Sequence, residues 1–94
     1  MERYKTRPGV VLTEICGEYV LVSAKMNLGV CPYVTTVNET SAFLWNRLIE
    51  GADFASLMQA VREEYEIDDV TAAEDAVRAF LAQMIELNYI IPED

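Results

Sequence analysis

The chain has 94 residues, 52% of them hydrophobic, and this length suits one domain with a single core. Sixteen acidic residues against seven basic ones give a formal net charge of −9, which opposes binding to a phosphate backbone because that affinity comes largely from Lys and Arg. The apolar runs are far shorter than the ~20 residues needed to cross a bilayer, and the polar N-terminal stretch is unlike a signal peptide. We therefore expect one soluble, cytoplasmic domain over residues 1–94 that binds neither nucleic acid nor membrane.

The sequence has no residue pattern typical of catalysis. It lacks His, the commonest general base, and Cys16 and Cys31 have neither metal-ligand nor CxxC spacing. Its four glycines are isolated, so it has no Gly-rich phosphate loop. We expect no enzymatic activity, no cofactor and no metal. We also expect two free thiols, although the sequence permits a disulfide between them.

The first half of the chain predicts a small antiparallel sheet. Val10–Ile15 and Glu18–Ser23 are rich in β-branched residues and flank Cys16-Gly17, whose glycine suits a tight hairpin turn. Turn residues follow, and they lead into a third predicted strand at residues 33–37. These three strands would form one sheet ahead of the helical half of the chain.

The hydrophobic period changes to that of a helix directly after the third predicted strand. Asn38 can cap a first helix that runs to about residue 50, where Gly51 follows as a stop. Asp53 can cap a second helix, in which apolar residues keep helical spacing as far as Tyr65. Each helix has one apolar face, which favours packing against a common core.

A third helix is predicted over residues 71–87. Thr71 and Glu74 form the T-x-x-E pattern of a capping box, and Asn88 follows the last apolar residue. At roughly 100° per residue its apolar positions fall on one face about 100° wide, sufficient for docking on a core. The residues of this face are Ala73, Ala76, Val77, Phe80, Met84 and Leu87.

Leu81 and Ile85 lie on one flank of that face, beside Arg78. The apolar stripe is therefore wider than one-sided docking requires. Two interpretations stay open: the flank packs against the first helix or the N-terminal arm, or it lines a groove for a peptide. In the second case Leu81 and Ile85 would take apolar side chains of the guest, and Arg78 would meet a carboxylate.

The third predicted strand is the best candidate for peptide binding. An edge strand presents unpaired N–H and C=O groups, to which an extended peptide can add as a further strand. Side chains alternate along a strand, so Tyr33, Thr35 and Val37 share one face. Val34 and Thr36 share the other face.

Several segments of the chain carry a family resemblance. In chain order they are Arg7-Pro8-Gly9-Val10, Glu18-Tyr19-Val20-Leu21-Val22, Val37-Asn38-Glu39-Thr40 with Leu44-Trp45, Glu63-Glu64-Tyr65, and residues 77–87 with Phe80-Leu81. In order and spacing the chain resembles the PqqD-like family, the RiPP recognition elements that bind leader peptides of ribosomally made, modified peptides. Residues 28–32, ahead of the third strand, depart from the family pattern.

The resemblance implies an α+β fold of winged helix-turn-helix type, with a three-stranded antiparallel sheet followed by three helices. It also implies that a leader peptide adds to the third strand, in the cleft against the third helix. On that basis the peptide contacts would be Tyr33, Val34, Thr35, Thr36, Val37, Arg78, Leu81 and Ile85. The domain would present the precursor to a modifying enzyme, often a radical SAM protein, without a cofactor of its own.

Two alternatives come from other classes of protein. Winged-helix domains also bind DNA as regulators, but the third helix offers only Arg78 for phosphate contacts. The wide apolar stripe could instead form a homodimer, in which case the chain would be a structural or interaction subunit without peptide cargo.

Overall fold

The structure is a computed structural model that describes residues 2–23 and 34–93. Within these residues the strands are β1 (Arg3–Thr6), β2 (Val10–Ile15), β3 (Glu18–Ser23), β4 (Val34–Val37), β5 (Ala52–Asp53) and β6 (Ile90–Glu93). The helices are α1 (Glu39–Leu48), between β4 and β5, and α2 (Phe54–Glu64) and α3 (Val70–Glu86), between β5 and β6. The predicted α+β class is confirmed, including the antiparallel sheet and the three helices that follow it.

The first sheet has the order β2-β3-β4, with both neighbouring pairs antiparallel. The hairpin predicted at Cys16-Gly17 is confirmed: φ is 53° at Cys16 and 81° at Gly17. Positive φ at both central residues is the mark of a type I′ turn, whose twist matches that of the flanking strands. β4 corresponds to the third predicted strand, although its expected first residue, Tyr33, lies outside the described residues.

A second sheet, absent from the prediction, has the order β5-β1-β6 and ties the two ends of the chain together. The Arg3 guanidinium links its strands: it donates hydrogen bonds to a Glu93 carboxylate oxygen at 2.9 Å and to the Gly51 carbonyl at 3.1 Å. Its strands have two to four residues each and lack a clear apolar alternation. These segments are strands because the fold brings them side by side. Local sequence does not reveal such long-range pairing.

Side-chain caps begin α1 and α2 where the sequence predicts them. The Asn38 side-chain oxygen accepts from the Ser41 backbone N–H at 2.7 Å, at the point where β4 ends. The Asp53 carboxylate accepts from both the backbone N–H and the hydroxyl of Ser56, at 2.7 and 2.8 Å. These two bonds lower the pKa of Asp53 below its usual value, because they favour the charged carboxylate.

The start of α3 differs from the prediction. The helix begins at Val70 and its cap is Asp69, whose carboxylate accepts from the Ala72 N–H at 3.1 Å. The capping box at Thr71 is therefore wrong: a carboxylate two residues earlier, on extended backbone, starts the helix before Thr71, so Thr71 lies inside the first turn. The predicted end is confirmed, since Asn88 has a φ of 64° just after the last turn.

One hydrophobic core joins both sheets to the three helices. Its most deeply buried side chains are Leu21, Leu44, Trp45, Leu48, Leu57, Val77 and Met84. Trp45, the largest of them, is only 1% exposed. Among the described residues, no helix is long and apolar enough to cross a bilayer.

The expectation that Leu81 lies outside the docking face of α3 is wrong. Leu81 is 8% exposed and belongs to the core, whereas Ile85 is 47% exposed. The cause is α2, which packs against α3. One turn before Leu81, Arg78 lies over the ring of Phe54 at the start of α2, so this flank of α3 faces the second helix.

We predict that Leu81→Asp lowers the free energy of unfolding by at least about 3 kcal/mol, because it places an unpaired carboxylate in the core. Ile85→Asp, on the same flank but exposed, should cost about 1 kcal/mol or less. Urea unfolding of both variants measures the difference. Equal losses would contradict the burial of Leu81.

Candidate functional site

β4 lies at an edge of its sheet. It pairs with β3 on one side, and within residues 2–23 and 34–93 no strand pairs with its other side. β4 contains two valines and two threonines and carries neither a charge nor a proline. Natural edge strands commonly use charged residues and proline to block the addition of another strand. Among the described residues, nothing therefore blocks pairing at this edge of β4.

The register decides which backbone groups of β4 point outward. The residues that flank a two-residue hairpin turn form a hydrogen-bonded pair, and such pairs alternate along an antiparallel ladder. Carried without a bulge through β3, this alternation makes Thr35 and Val37 the residues that bond to β3. The backbone N–H and C=O groups of Val34 and Thr36 therefore point away from the sheet, along its free edge.

The side chains of β4 alternate as predicted. Thr35 and Val37 are half-buried toward the core, while Thr36 is exposed and Val34 is 63% exposed. The Thr35 hydroxyl lies 3.3 Å from the hydroxyl of Tyr89, a residue that follows α3. β4 is thereby connected to the C-terminal end of α3.

A cavity of about 370 Å³ lies between the start of α1 and one face of α3. We call it the groove. From α3 it is lined by Ala73, Ala76, Val77 and Phe80, and Leu44, Val61, Tyr65 and Ile67 complete its walls. Asn38, Thr40 and Ser41 contribute polar groups at the N-terminus of α1. All these lining residues are uncharged, so the groove suits an apolar guest side chain.

The groove and the free edge of β4 are neighbours. Asn38 directly follows β4 in the chain and lines the groove together with Phe80 of α3. At the other end of β4, Thr35 contacts Tyr89 beyond the last turn of α3. The groove therefore begins next to the C-terminal end of β4.

The structure does not bring Arg78, Leu81 or Ile85 to this groove. At roughly 100° per residue, Arg78 and Ile85 lie about 160° and 140° around the helix from Phe80. The Arg78 guanidinium is 4.8 Å from the centre of the Phe54 ring, and one of its nitrogens is 3.7 Å from an Asp75 carboxylate oxygen. Arg78 therefore lies on the flank of α3 that faces α2, Leu81 is buried beside it and Ile85 is exposed on the same flank, while Ala76 and Phe80 face the groove.

Sequence reasoning assigned Ala76 and Phe80 to core docking alone and missed their part in the groove. A signal was present: two alanines, at 73 and 76, stand beside Phe80 on the same helix face. Small side chains next to a large one leave a gap when no partner fills it. Tyr89, which approaches β4, had no sequence signal because its contact with Thr35 spans 54 positions.

The described part of the chain shows no metal-binding cluster: no three His, Cys, Asp or Glu residues lie close enough together to hold an ion. Cys16 is exposed in the hairpin turn. Cys31, its potential disulfide partner, lies outside the described residues, as do residues 28–32, where the family pattern breaks.

Comparison with known proteins gives a family match and a fold. Residues 18–90 match the family model of coenzyme PQQ synthesis protein D (PqqD). A structure described as lasso peptide synthetase B1 complexed with the leader peptide is 24% identical, covers 95% of this chain and 98% of its own, and has a TM-score of 0.71. Another, TbiB1 in complex with the TbiA(beta) leader peptide, is 22% identical with coverages of 92% and 93% and a TM-score of 0.71. No curated protein matches the sequence.

We predict that amide exchange in the free protein alternates along β4. The N–H groups of Thr35 and Val37 should exchange slowly because they bond to β3, and those of Val34 and Thr36 should exchange quickly because they point to the free edge. Residue-resolved exchange by NMR measures this pattern. Slow exchange at Val34 and Thr36 in the free protein would show that the edge is already covered.

Proposed function

Because this chain belongs to the PqqD family, whose model it matches over residues 18–90, we propose that it binds the leader segment of a ribosomally made precursor peptide and presents the precursor to a modifying enzyme. The observation that carries the proposal is the free edge of β4 beside an uncharged groove. Two proteins of the same fold, in the lasso peptide synthetase B1 and TbiB1 structures, are complexed with leader peptides.

In the proposed complex the leader lies extended along β4 as a fourth strand of the first sheet. Val34 and Thr36 each offer one N–H and one C=O, so the leader can form about four backbone hydrogen bonds. At about 1 kcal/mol net for each bond, this ladder contributes roughly 4 kcal/mol, which gives a millimolar dissociation constant at best, before the cost of association is subtracted. Strand pairing alone is therefore too weak and too unspecific to select a leader.

The groove supplies the missing affinity and selectivity. Burying one large apolar side chain contributes about 1.5–3 kcal/mol, which tightens binding roughly tenfold to 150-fold. Its walls are apolar, whereas Asn38, Thr40 and Ser41 at its rim can bond to a polar tip. We propose that the leader places an aromatic or large aliphatic side chain in this groove.

The contacts proposed for β4 remain Val34, Thr35, Thr36 and Val37, together with Tyr33 outside the described residues. On α3 we place the binding face at Ala76 and Phe80. Leu81 is part of the core and we do not propose it as a contact. Arg78 and Ile85 are exposed on the α2 side of the helix. As peptide contacts they stay predictions, and they would require the guest to cross α3.

The proposed role requires no chemistry from this chain. A bound leader holds the attached core peptide near the active site of a partner enzyme, which raises its effective concentration there. A peptide-modifying enzyme is the proposed partner, and the family resemblance favours a radical SAM protein. The same role implies a cytoplasmic location, because ribosomes release the precursor there.

We predict that Ala76→Leu weakens peptide binding at least tenfold, because the added side chain fills the groove. Ala82→Leu is the matched control: Ala82 is also an exposed alanine of α3 but does not line the groove. The probes are peptides selected on the wild-type domain from a random-peptide display library, with affinities measured by calorimetry. Equal affinities of the two variants would exclude the groove as the binding site.

We predict that the domain accelerates modification of a full-length precursor and has no effect on a core peptide without its leader. The assay combines the domain with a modifying enzyme and a precursor whose genes neighbour its own. The Ala76→Leu variant should lose most of the acceleration, while Ala82→Leu keeps it. Equal acceleration of both substrates would mean that the domain activates the enzyme and does not deliver the peptide.

A further inference from the structure

Tyr89 and Thr35 form a hydrogen bond that no sequence motif indicates. Tyr89 is only 3% exposed, and its hydroxyl lies 3.3 Å from the Thr35 hydroxyl on the core-facing side of β4. Two hydroxyl groups in largely apolar surroundings each need a partner, because an unpaired buried hydroxyl is costly. Here one hydroxyl donates and the other accepts, so each has the other as its partner.

Tyr89 itself is held firmly in place. Its backbone N–H donates to the Met84 carbonyl at 2.9 Å, and its carbonyl accepts from the Arg7 N–H at 2.8 Å. The Arg7 guanidinium also bonds to the carbonyl and side-chain oxygen of Asn88, at 2.8 and 2.9 Å. Tyr89 is therefore anchored both to the last turn of α3 and to the chain that follows β1.

β4 has far fewer restraints. It is four residues long and is held along one edge by β3. In the described part of the chain, the bond from Thr35 to Tyr89 is the one side-chain hydrogen bond that joins β4 to an element outside its sheet. The distance between β4 and the C-terminal end of α3 therefore depends on this contact and on the packing of Thr35 and Val37.

We propose that Tyr89 is a positioning residue, whose hydroxyl fixes β4 relative to the end of α3 and so sets the spacing between β4 and α3 in which the guest strand would lie. The inference rests on the proposed function. A strand must lie about 4.8 Å from β4 to form its ladder, and hydrogen bonds weaken steeply once distance and angle depart from their optimum. When this spacing is fixed in advance, the guest binds without first having to order β4.

The test is a double-mutant cycle of Tyr89→Phe, Thr35→Val and the combined variant. Each single change removes one hydroxyl and keeps the shape of the side chain. Binding of the display-selected peptides should weaken about threefold to tenfold in each variant, the value of one neutral hydrogen bond. The double variant should be no weaker than the singles, because they remove the same interaction. Tyr4→Phe, which removes a tyrosine hydroxyl bonded to Glu2 at 2.9 Å, is the matched control and should bind normally.

Exchange in the free protein provides a readout that does not depend on any peptide. The amides of Thr35 and Val37 should exchange at least threefold faster in Tyr89→Phe, and unchanged exchange would overturn the inference. A lower melting temperature with wild-type affinity would also overturn it, since the bond would then serve stability alone. If the wild-type domain bound no peptide at all, the proposed function would fail, and β4 exchange alone would decide the role of Tyr89.

Discussion

Backbone hydrogen bonding along β4 is the constraint on which the rest of this structure depends. Each residue of a strand carries one N–H and one C=O, and a sheet satisfies them only where a neighbouring strand is present. β3 satisfies Thr35 and Val37, and the groups of Val34 and Thr36 point away from the sheet. Asn38 caps α1 at the end of β4, so the strand cannot extend further and its free edge ends beside the groove.

The groove exists because α3 packs against α2 on one side and against the common core on another, which leaves its remaining apolar face only partly covered. Its flank with Leu81 packs toward α2, and Val77 and Met84 enter the common core. On the face that lines the groove the side chains at 73 and 76 are alanines, which are too small to close the gap left beside Phe80. A larger residue at either position would add buried area but would close the site. The alanines therefore keep a space that a guest side chain can fill.

The features that the sequence predicted correctly have local causes. The hairpin needs only two residues with positive φ, and the caps of α1 and α2 need only an acceptor three positions before a free N–H. The second sheet, the burial of Leu81 and the contact of Tyr89 depend instead on distant segments meeting. Helical periodicity defined the apolar stripe of α3 but could not say which neighbour each flank would face. The predicted contacts along β4 and on α3 stay predictions, but the structure shows that Leu81 is buried and that the groove lies on another face of α3.

The central claim is that a guest peptide completes the ladder of β4. Its most direct test is residue-resolved amide exchange of the domain with and without saturating peptide from the display selection. Strand addition predicts strong slowing at Val34 and Thr36, with little change at Thr35 and Val37, which β3 already protects. If saturating peptide left the amides of Val34 and Thr36 in fast exchange, strand addition to β4 would be contradicted, even if exchange on α3 became slower.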